Sequence, residues 1–291
     1  MRQRRVPIVI STTIAALTLA ACTDAPEPET KQRGDSASFP VEVSSCGFTS
    51  ELSAAPQKAI TLNQGATEIM LALDLADHLA GTAYLDDAVA QRWEKDYDTV
   101  PVLSKEYPTN EQLIAAEPDF VYASYSSAFE NDVAGPRDQL AETGVSSYLS
   151  PFGCEDKEQR PEPSYDAVWD EVASVATAFG VPERADKIRK DQQATLDRLA
   201  QDAAGKDLTV VWWDGGTKAP TVGAGDGGPA LVMDAVGATN AFADAEGSWI
   251  DSSWEDVVKA DPDVIVLVDA SWDTAADKRK HLESDPALSK L

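Results

Sequence analysis

Two stretches of the chain repeat one order of polar and apolar positions: Thr109-Asn110-Glu111-Gln112-Leu113-Ile114-Ala115-Ala116-Glu117-Pro118-Asp119-Phe120-Val121 and Ser253-Trp254-Glu255-Asp256-Val257-Val258-Lys259-Ala260-Asp261-Pro262-Asp263-Val264-Ile265. Each reads as a two-turn helix running directly into a strand. A cap-type residue stands before an acid in the first turn, where the helix dipole favours negative charge, and an apolar pair packs beneath. An acid-Pro-Asp corner then ends the helix, because the proline ring disfavours helical backbone at the residue before it. The runs that follow, Phe120-Val121-Tyr122-Ala123 and Val264-Ile265-Val266-Leu267-Val268, are short and apolar, as strands covered on both faces are. The copies are too far apart for a solenoid period and suit two similar lobes.

The same reading extends to the rest of the chain. In a first lobe, residues 39–163, Phe39 to Pro56 alternates as an edge hairpin with a Cys-Gly break, and Lys58 to Leu62 is a strand. Asn63 to Thr67 is a loop into a helix beginning near Glu68, and Leu79 to Tyr84 is the next strand. Strand, helix, strand at this spacing is a parallel α/β unit, whose ligands sit beyond the carboxyl ends of its strands. That rule selects Asn63, Gln64, Tyr84, Ser124, Tyr125 and Phe152 as candidate ligand contacts, with Tyr125 and Phe152 serving equally well as lid or core aromatics.

A connector, residues 164–205, opens with a helix carrying Val168, Val172, Val175 and Phe179 and stops at Gly180-Val181-Pro182. From Pro182 the helical pattern resumes for about 22 residues, a rod of roughly 33 Å. Such a strut allows rocking of two lobes and resists a wide clamshell closure. The second lobe, residues 206–291, has a strand from Leu208 to Trp213, and Thr221 to Gly225 opens a helix with Leu231, Val232 and Met233. Gly223, Gly225, Gly227 and Gly228 do not make a dinucleotide fingerprint, which needs a Gly-x-Gly-x-x-Gly run and a later acid. Gly225 is instead expected to bring backbone close to a ligand. Trp212, Trp213, Trp249, Trp254 and Trp272 crowd the strand ends and helix entry of this lobe, so Trp212, Trp213, Trp249 and Trp272 join the candidate contacts.

The N-terminus changes the setting. Arg2, Arg4 and Arg5 precede an apolar segment from Ile8 to Leu19, too short to span a bilayer and laid out as a signal peptide over residues 1–21. Leu19-Ala20-Ala21-Cys22 resembles the lipobox of bacterial lipoproteins, which implies acylation of Cys22 and an extracytoplasmic, lipid-anchored body. Residues 22–38, rich in Pro, Glu, Asp, Gly and Ser, read as a disordered tether. With 50 acidic and 24 basic residues the net charge is −26, which disfavours nucleic acid and anionic lipid as partners. Cys46 and Cys154 remain as an even pair in an oxidising compartment and are expected to form a disulfide.

Catalytic chemistry is not visible in the pattern. Two histidines, His78 and His281, stand far apart, and no metal-ligand spacing, Ser-His-Asp set or phosphate loop can be assembled. The expectation is a protein that is not an enzyme and carries no metal or cofactor of its own. Asp86-Asp87 or Glu255-Asp256 could supply the acids of a secreted carbohydrate-active enzyme with tryptophan platforms, and a ligand-free scaffold lipoprotein is a third reading.

The lipobox, the paired helix-Pro-Asp-strand units and the long connecting helix together resemble the solute-binding lipoproteins of ABC importers for iron-siderophores and cobalamin. The resemblance runs from Lys58 to the end of the chain. It implies an α/β protein of two Rossmann-like lobes with parallel sheets joined by one long helix, the class III form of periplasmic binding proteins. It also implies a small-molecule ligand between the lobes, a monomer, and an ABC permease as partner. The family's permease-docking glutamates fall on Glu111 and Glu255. Asp269 to Lys278, Val222 to Gly225 and Ser45 to Phe48 look like a branch proposed to carry a deazaflavin coenzyme precursor. An anionic cargo would want arginine forks, and the second-lobe loops offer only Lys218. The resemblance further implies a strand and closing helix beyond Asp285 to Leu291, so the second sheet is expected to lack a strand and expose an edge.

Overall fold

The computed structural model describes residues 38–290. The expected signal peptide, Cys22 and nearly all of the tether lie outside the described residues. The chain begins with an antiparallel hairpin, β1 (Val41–Ser45) and β2 (Phe48–Leu52). Its turn residues Cys46 and Gly47 both take positive φ, 50° and 73°. Cys46 is joined to Cys154, with Cα atoms 5.3 Å apart, which ties this hairpin turn to the segment after the last strand of the first sheet.

That sheet is built from β3 (Ala59–Leu62), α1 (Gln64–Ala72), β4 (Leu79–Ala83), α2 (Glu94–Tyr97), β5 (Val102–Ser104), α3 (Asn110–Ala115), β6 (Phe120–Ala123), α4 (Arg137–Glu142) and β7 (Ser146–Leu149). Its strand order is β5-β4-β3-β6-β7 and every pairing is parallel. Period-two alternation splits β6 between two cores. Phe120 and Tyr122 pack with Met70, Val172, Val175 and Phe179, while Val121 and Ala123 pack with Ile60, Leu62, Leu113 and Leu140. The helix after β3 starts at Gln64, one turn before the expected position near Glu68.

Two helices follow, α5 (Tyr165–Ala178) and α6 (Pro182–Asp202), broken where the sequence pattern breaks. Gly180 takes φ 71° there, with the Phe39 ring close against it. The second sheet comprises β8 (Thr209–Gly215), β9 (Thr221–Gly223), α7 (Gly227–Ala235), β10 (Thr239–Asn240), β11 (Trp249–Asp251), α8 (Trp254–Ala260), β12 (Val264–Leu267) and α9 (Ala275–Ser284). It is mixed: β10 and β12 run parallel to β8, β9 is antiparallel to β8, and β11 is antiparallel to β9. Thr221 to Gly223 is thus a strand that sequence reading had merged into the following helix. Among the described residues β12 pairs with β8 alone.

The repeated corner folds the same way twice. Glu117 and Asp261, each preceding the proline, both take φ 48°. Asp119 accepts the backbone N–H groups of Gln57 and Lys58 at 2.7 and 2.9 Å, at the entry to β3. Asp263 accepts the Thr209 N–H at 2.8 Å, at the start of β8. In each lobe this aspartate fastens its strand to the neighbouring one before the backbone ladder begins, which accounts for the Pro-Asp order at both sites.

Candidate functional site: the cleft between two sheets

Loops from the carboxyl ends of the first sheet meet loops from the second, as open α/β sheets place their ligand crevices. A cavity of about 750 Å³ lies between them. Phe152, Lys157, Arg160 and Pro161 line it from the first side, and Asp226, Gly228, Leu231 and Ser248 from the second. Val168 of α5 contributes to its wall. A larger cavity, about 1110 Å³, sits beside the Cys46–Cys154 disulfide and is lined only by first-lobe residues, so it does not join the lobes. Arg137 borders it, buried between Phe48 and Phe129 and donating to Ser45 and Ser147 oxygens. Its burial lowers the guanidinium pKa to about 10.

The candidate contacts separate into two groups. Phe152 lines the cleft, Tyr125 is 55% exposed after β6, Trp249 is 49% exposed at the start of β11, and Trp272 is 67% exposed in the loop after β12. Tyr84 takes φ 59° and meets Tyr107 edge-on, with ring centroids 4.6 Å apart. These side chains remain available at the strand ends.

The rest are engaged by the protein itself. Asn63 is buried and its carbonyl oxygen accepts from the Tyr107 hydroxyl at 3.2 Å. The Gln64 amide braces the loop after β4: its oxygen accepts the Asp87 N–H at 2.9 Å and its nitrogen donates to the Ala88 carbonyl at 3.3 Å. Trp213 is a correction to the expected ligand contacts. It is fully buried, its indole N–H donates to Gly215 and Gly216 carbonyls, and its ring packs on Trp254 and His281. Trp212 is partly buried against the sheet, and its indole nitrogen has no hydrogen-bond partner among the described residues. At Gly225 a Cβ would lie 2.2 Å from the Ala243 carbonyl oxygen, so the fold itself requires a glycine there.

Sequence reading missed three features. Lys157 and Arg160 place two cations on the first-lobe wall, in a stretch with no apolar periodicity to mark it. His281 packs its ring against those of Trp213 and Trp254. Lys278 is fully buried, its ammonium bonded to the Val268 and Asp273 carbonyls at 2.7 and 2.8 Å and to the Asp273 carboxylate at 3.0 Å. Its spacing from Asp273 was the only available signal.

Glu111 and Glu255 sit exposed in the first turns of α3 and α8, below caps from Thr109 and Ser253. Among the described residues no cluster of three or more His, Cys, Asp or Glu side chains is arranged to hold a metal ion.

Two five-stranded sheets with their covering helices, and a crevice lined by loops from both, form the body of the described residues. Residues 60–291 match the Periplasmic binding protein family, and the chain belongs to it. It is 24% identical over 283 residues to the uncharacterized ABC transporter substrate-binding lipoprotein YvrC of Bacillus subtilis (strain 168), covering 95% of this chain and 85% of that protein. A periplasmic binding protein from Veillonella parvula DSM 2008 shares the fold with a TM-score of 0.71 at 22% identity, covering 89% of this chain and 87% of that one. A protein of an ABC-type Fe3+-hydroxamate transport system from Saccharomonospora viridis DSM 43017 does so with a TM-score of 0.66 at 21% identity, covering 86% and 88%.

Proposed function

We propose that the protein is an extracytoplasmic solute-binding lipoprotein of an ABC importer, anchored through Cys22 and acting as a monomer. It takes a small molecule into the cleft between residues 39–163 and 206–291 and presents it to a permease. The observation that carries this reading is the cavity shared by Phe152, Lys157 and Arg160 on one side and the Asp226–Gly228 and Glu246–Ser248 loops on the other, in a chain of this family. Phe152, Tyr84, Tyr125, Trp249 and Trp272 supply flat apolar surface to a bulky chelate or aromatic cofactor. Lys157 and Arg160 supply charge to an anionic group on it. An Fe3+-hydroxamate, named for the Saccharomonospora transport system, is the first candidate to test.

Glu111 and Glu255 are assigned to permease docking, one from each copy of the repeat. Exposed ion pairs contribute about 0.2–1 kcal/mol each, so their value is orientation and faster encounter rather than holding strength. The test is paired substitution, Glu111→Arg with Glu255→Arg, in cells that depend on this importer. Uptake is expected to stop while the purified protein keeps its ligand affinity; loss of affinity would place these residues in the cleft and overturn the assignment. Mass spectrometry of the molecule that copurifies with the native protein identifies the cargo.

A further inference from the structure

Among the described residues the hydrogen-bonding contact that joins residues 39–163 directly to residues 206–291 is the pair Asp87 and Ser271: the Ser271 N–H donates to Asp87 Oδ2 at 2.8 Å. It links the loop after β4 to the loop after β12, beside Trp272. Both loops are held firmly on their own sides. In the first lobe the Asp87 N–H is bonded to Gln64, and the Ala90 N–H to the Glu68 carboxylate at 3.2 Å, both side chains projecting from α1. In the second, Ala270 and Asp273 exchange backbone hydrogen bonds at 3.3 and 3.1 Å, and the Asp269 carboxylate accepts the Ala275 N–H at 2.8 Å. Buried Lys278 closes the same loop from below by gripping its first and last residues, Val268 and Asp273.

We infer that residues 268–273 form a preshaped strap that Asp87 holds against the first lobe, fixing where Trp272 stands. Asp87 is therefore a positioning residue for a ligand-facing tryptophan, which rests on the reading of this cleft as the ligand site. The physical argument is a contrast of strengths. Lys278 is wholly removed from water and its three bonds have no solvent to replace them, whereas the Asp87–Ser271 bond is exposed and water can substitute for either partner at little net cost. When the lobes rock, the linkage that yields is the one between them, and the strap moves as a unit with the second lobe. The Asp87 carboxylate also accepts the Ala88 N–H at 2.9 Å, so it stays oriented toward the strap after release and can re-engage it.

Amide hydrogen exchange on the full, ligand-free chain reads the bond directly. Asp87→Ala is expected to speed exchange at the Ser271 amide by about tenfold or more and to leave the Ala275 amide, whose acceptor is Asp269, unchanged. Asp87→Asn keeps an acceptor oxygen and is expected to hold Ser271 within about threefold of the native rate. Continued protection of Ser271 in the Ala protein overturns the inference, as does equal loss at Ala275, which would mean that the loop had merely unfolded. An Asn protein as labile as the Ala protein counts against it too. No ligand enters this experiment, so its failure is separable from failure of the transport reading, which the copurified molecule decides.

Discussion

The two copies of the helix-Pro-Asp-strand unit have the same backbone and different fates. Phe120 to Ala123 is buried at every position, paired with β3 on one side and β7 on the other. Val264 to Leu267 is exposed or half-buried throughout and pairs with β8 alone among the described residues. The local signals are equivalent down to the left-handed residue before proline and the aspartate bonded to the next strand. What differs is the number of layers that reach each strand. In the first lobe α5 and the β1–β2 hairpin join one broad core. In the second, the buried residues form two small clusters, Val210 with Met233 and Ala238, and Val211 with Val222 and Val257. The first lobe is held by its core; the second relies more on particular fastenings, such as Lys278 and the Trp213–Trp254–His281 ring cluster.

The sharpest test of that contrast is truncation at matched positions. Phe120→Ala empties a fully buried site and is expected to cost about 3–5 kcal/mol, while Val264→Ala, at 40% exposure, should stay below about 1 kcal/mol. Equal losses in denaturant titrations would show that β12 is covered in solution and break the comparison. A smaller effect is expected at the corner acids. Asp119→Ala removes the acceptor of two N–H groups and should cost about 1–3 kcal/mol, and Asp263→Ala, which frees a single exposed N–H, about half as much. Thermal melts of the two proteins give the order, and a costlier Asp263 would reverse the assignment of strength to the first lobe.

The smallest effect concerns Glu171, buried under the first sheet. Burial pushes its pKa above the ordinary 4.5, only partly offset by hydrogen bonds from Tyr122, at 2.6 Å, and Ser150. An acid with a raised pKa in the folded state favours folding while it is protonated. Its stabilising contribution is complete below 4.5 and is lost as pH rises through the raised value. Native stability should therefore decline over that window, and Glu171→Gln, which keeps the acceptor for Tyr122 without the charge, should flatten the decline. An unchanged slope in stability against pH would mean that Glu171 is hydrated in solution.

Much of the architecture was legible because it rests on local rules. The repeat, the helix break at Gly180-Val181-Pro182, the hairpin around Cys46-Gly47 and the Cys46–Cys154 pairing all follow from residues whose backbone or covalent demands are narrow. The cleft was less legible. Strand-end logic selected Phe152, Trp249 and Trp272 alongside Asn63, Gln64 and Trp213, and sequence does not distinguish a side chain free at a strand end from one captured by a neighbour. Tyr107 takes Asn63, the loop after β4 takes Gln64, and the second-lobe core takes Trp213. Each captor lies many residues away from the side chain it holds or closes over it from another element.

The sequence by itself determined the duplicated plan, the Thr- and Ser-capped helices that expose Glu111 and Glu255, the proline corners and the long helix from Pro182, since these depend on dihedral preferences and local spacing. Only the tertiary structure decided which copy of the repeat became a buried central strand, which tryptophans stayed accessible, that Lys157 and Arg160 reach the cleft, and that Asp87 meets Ser271. Burial and contact between distant segments depend on how many layers surround a position and on which loops the sheets bring face to face, and no local stretch of chain carries that information.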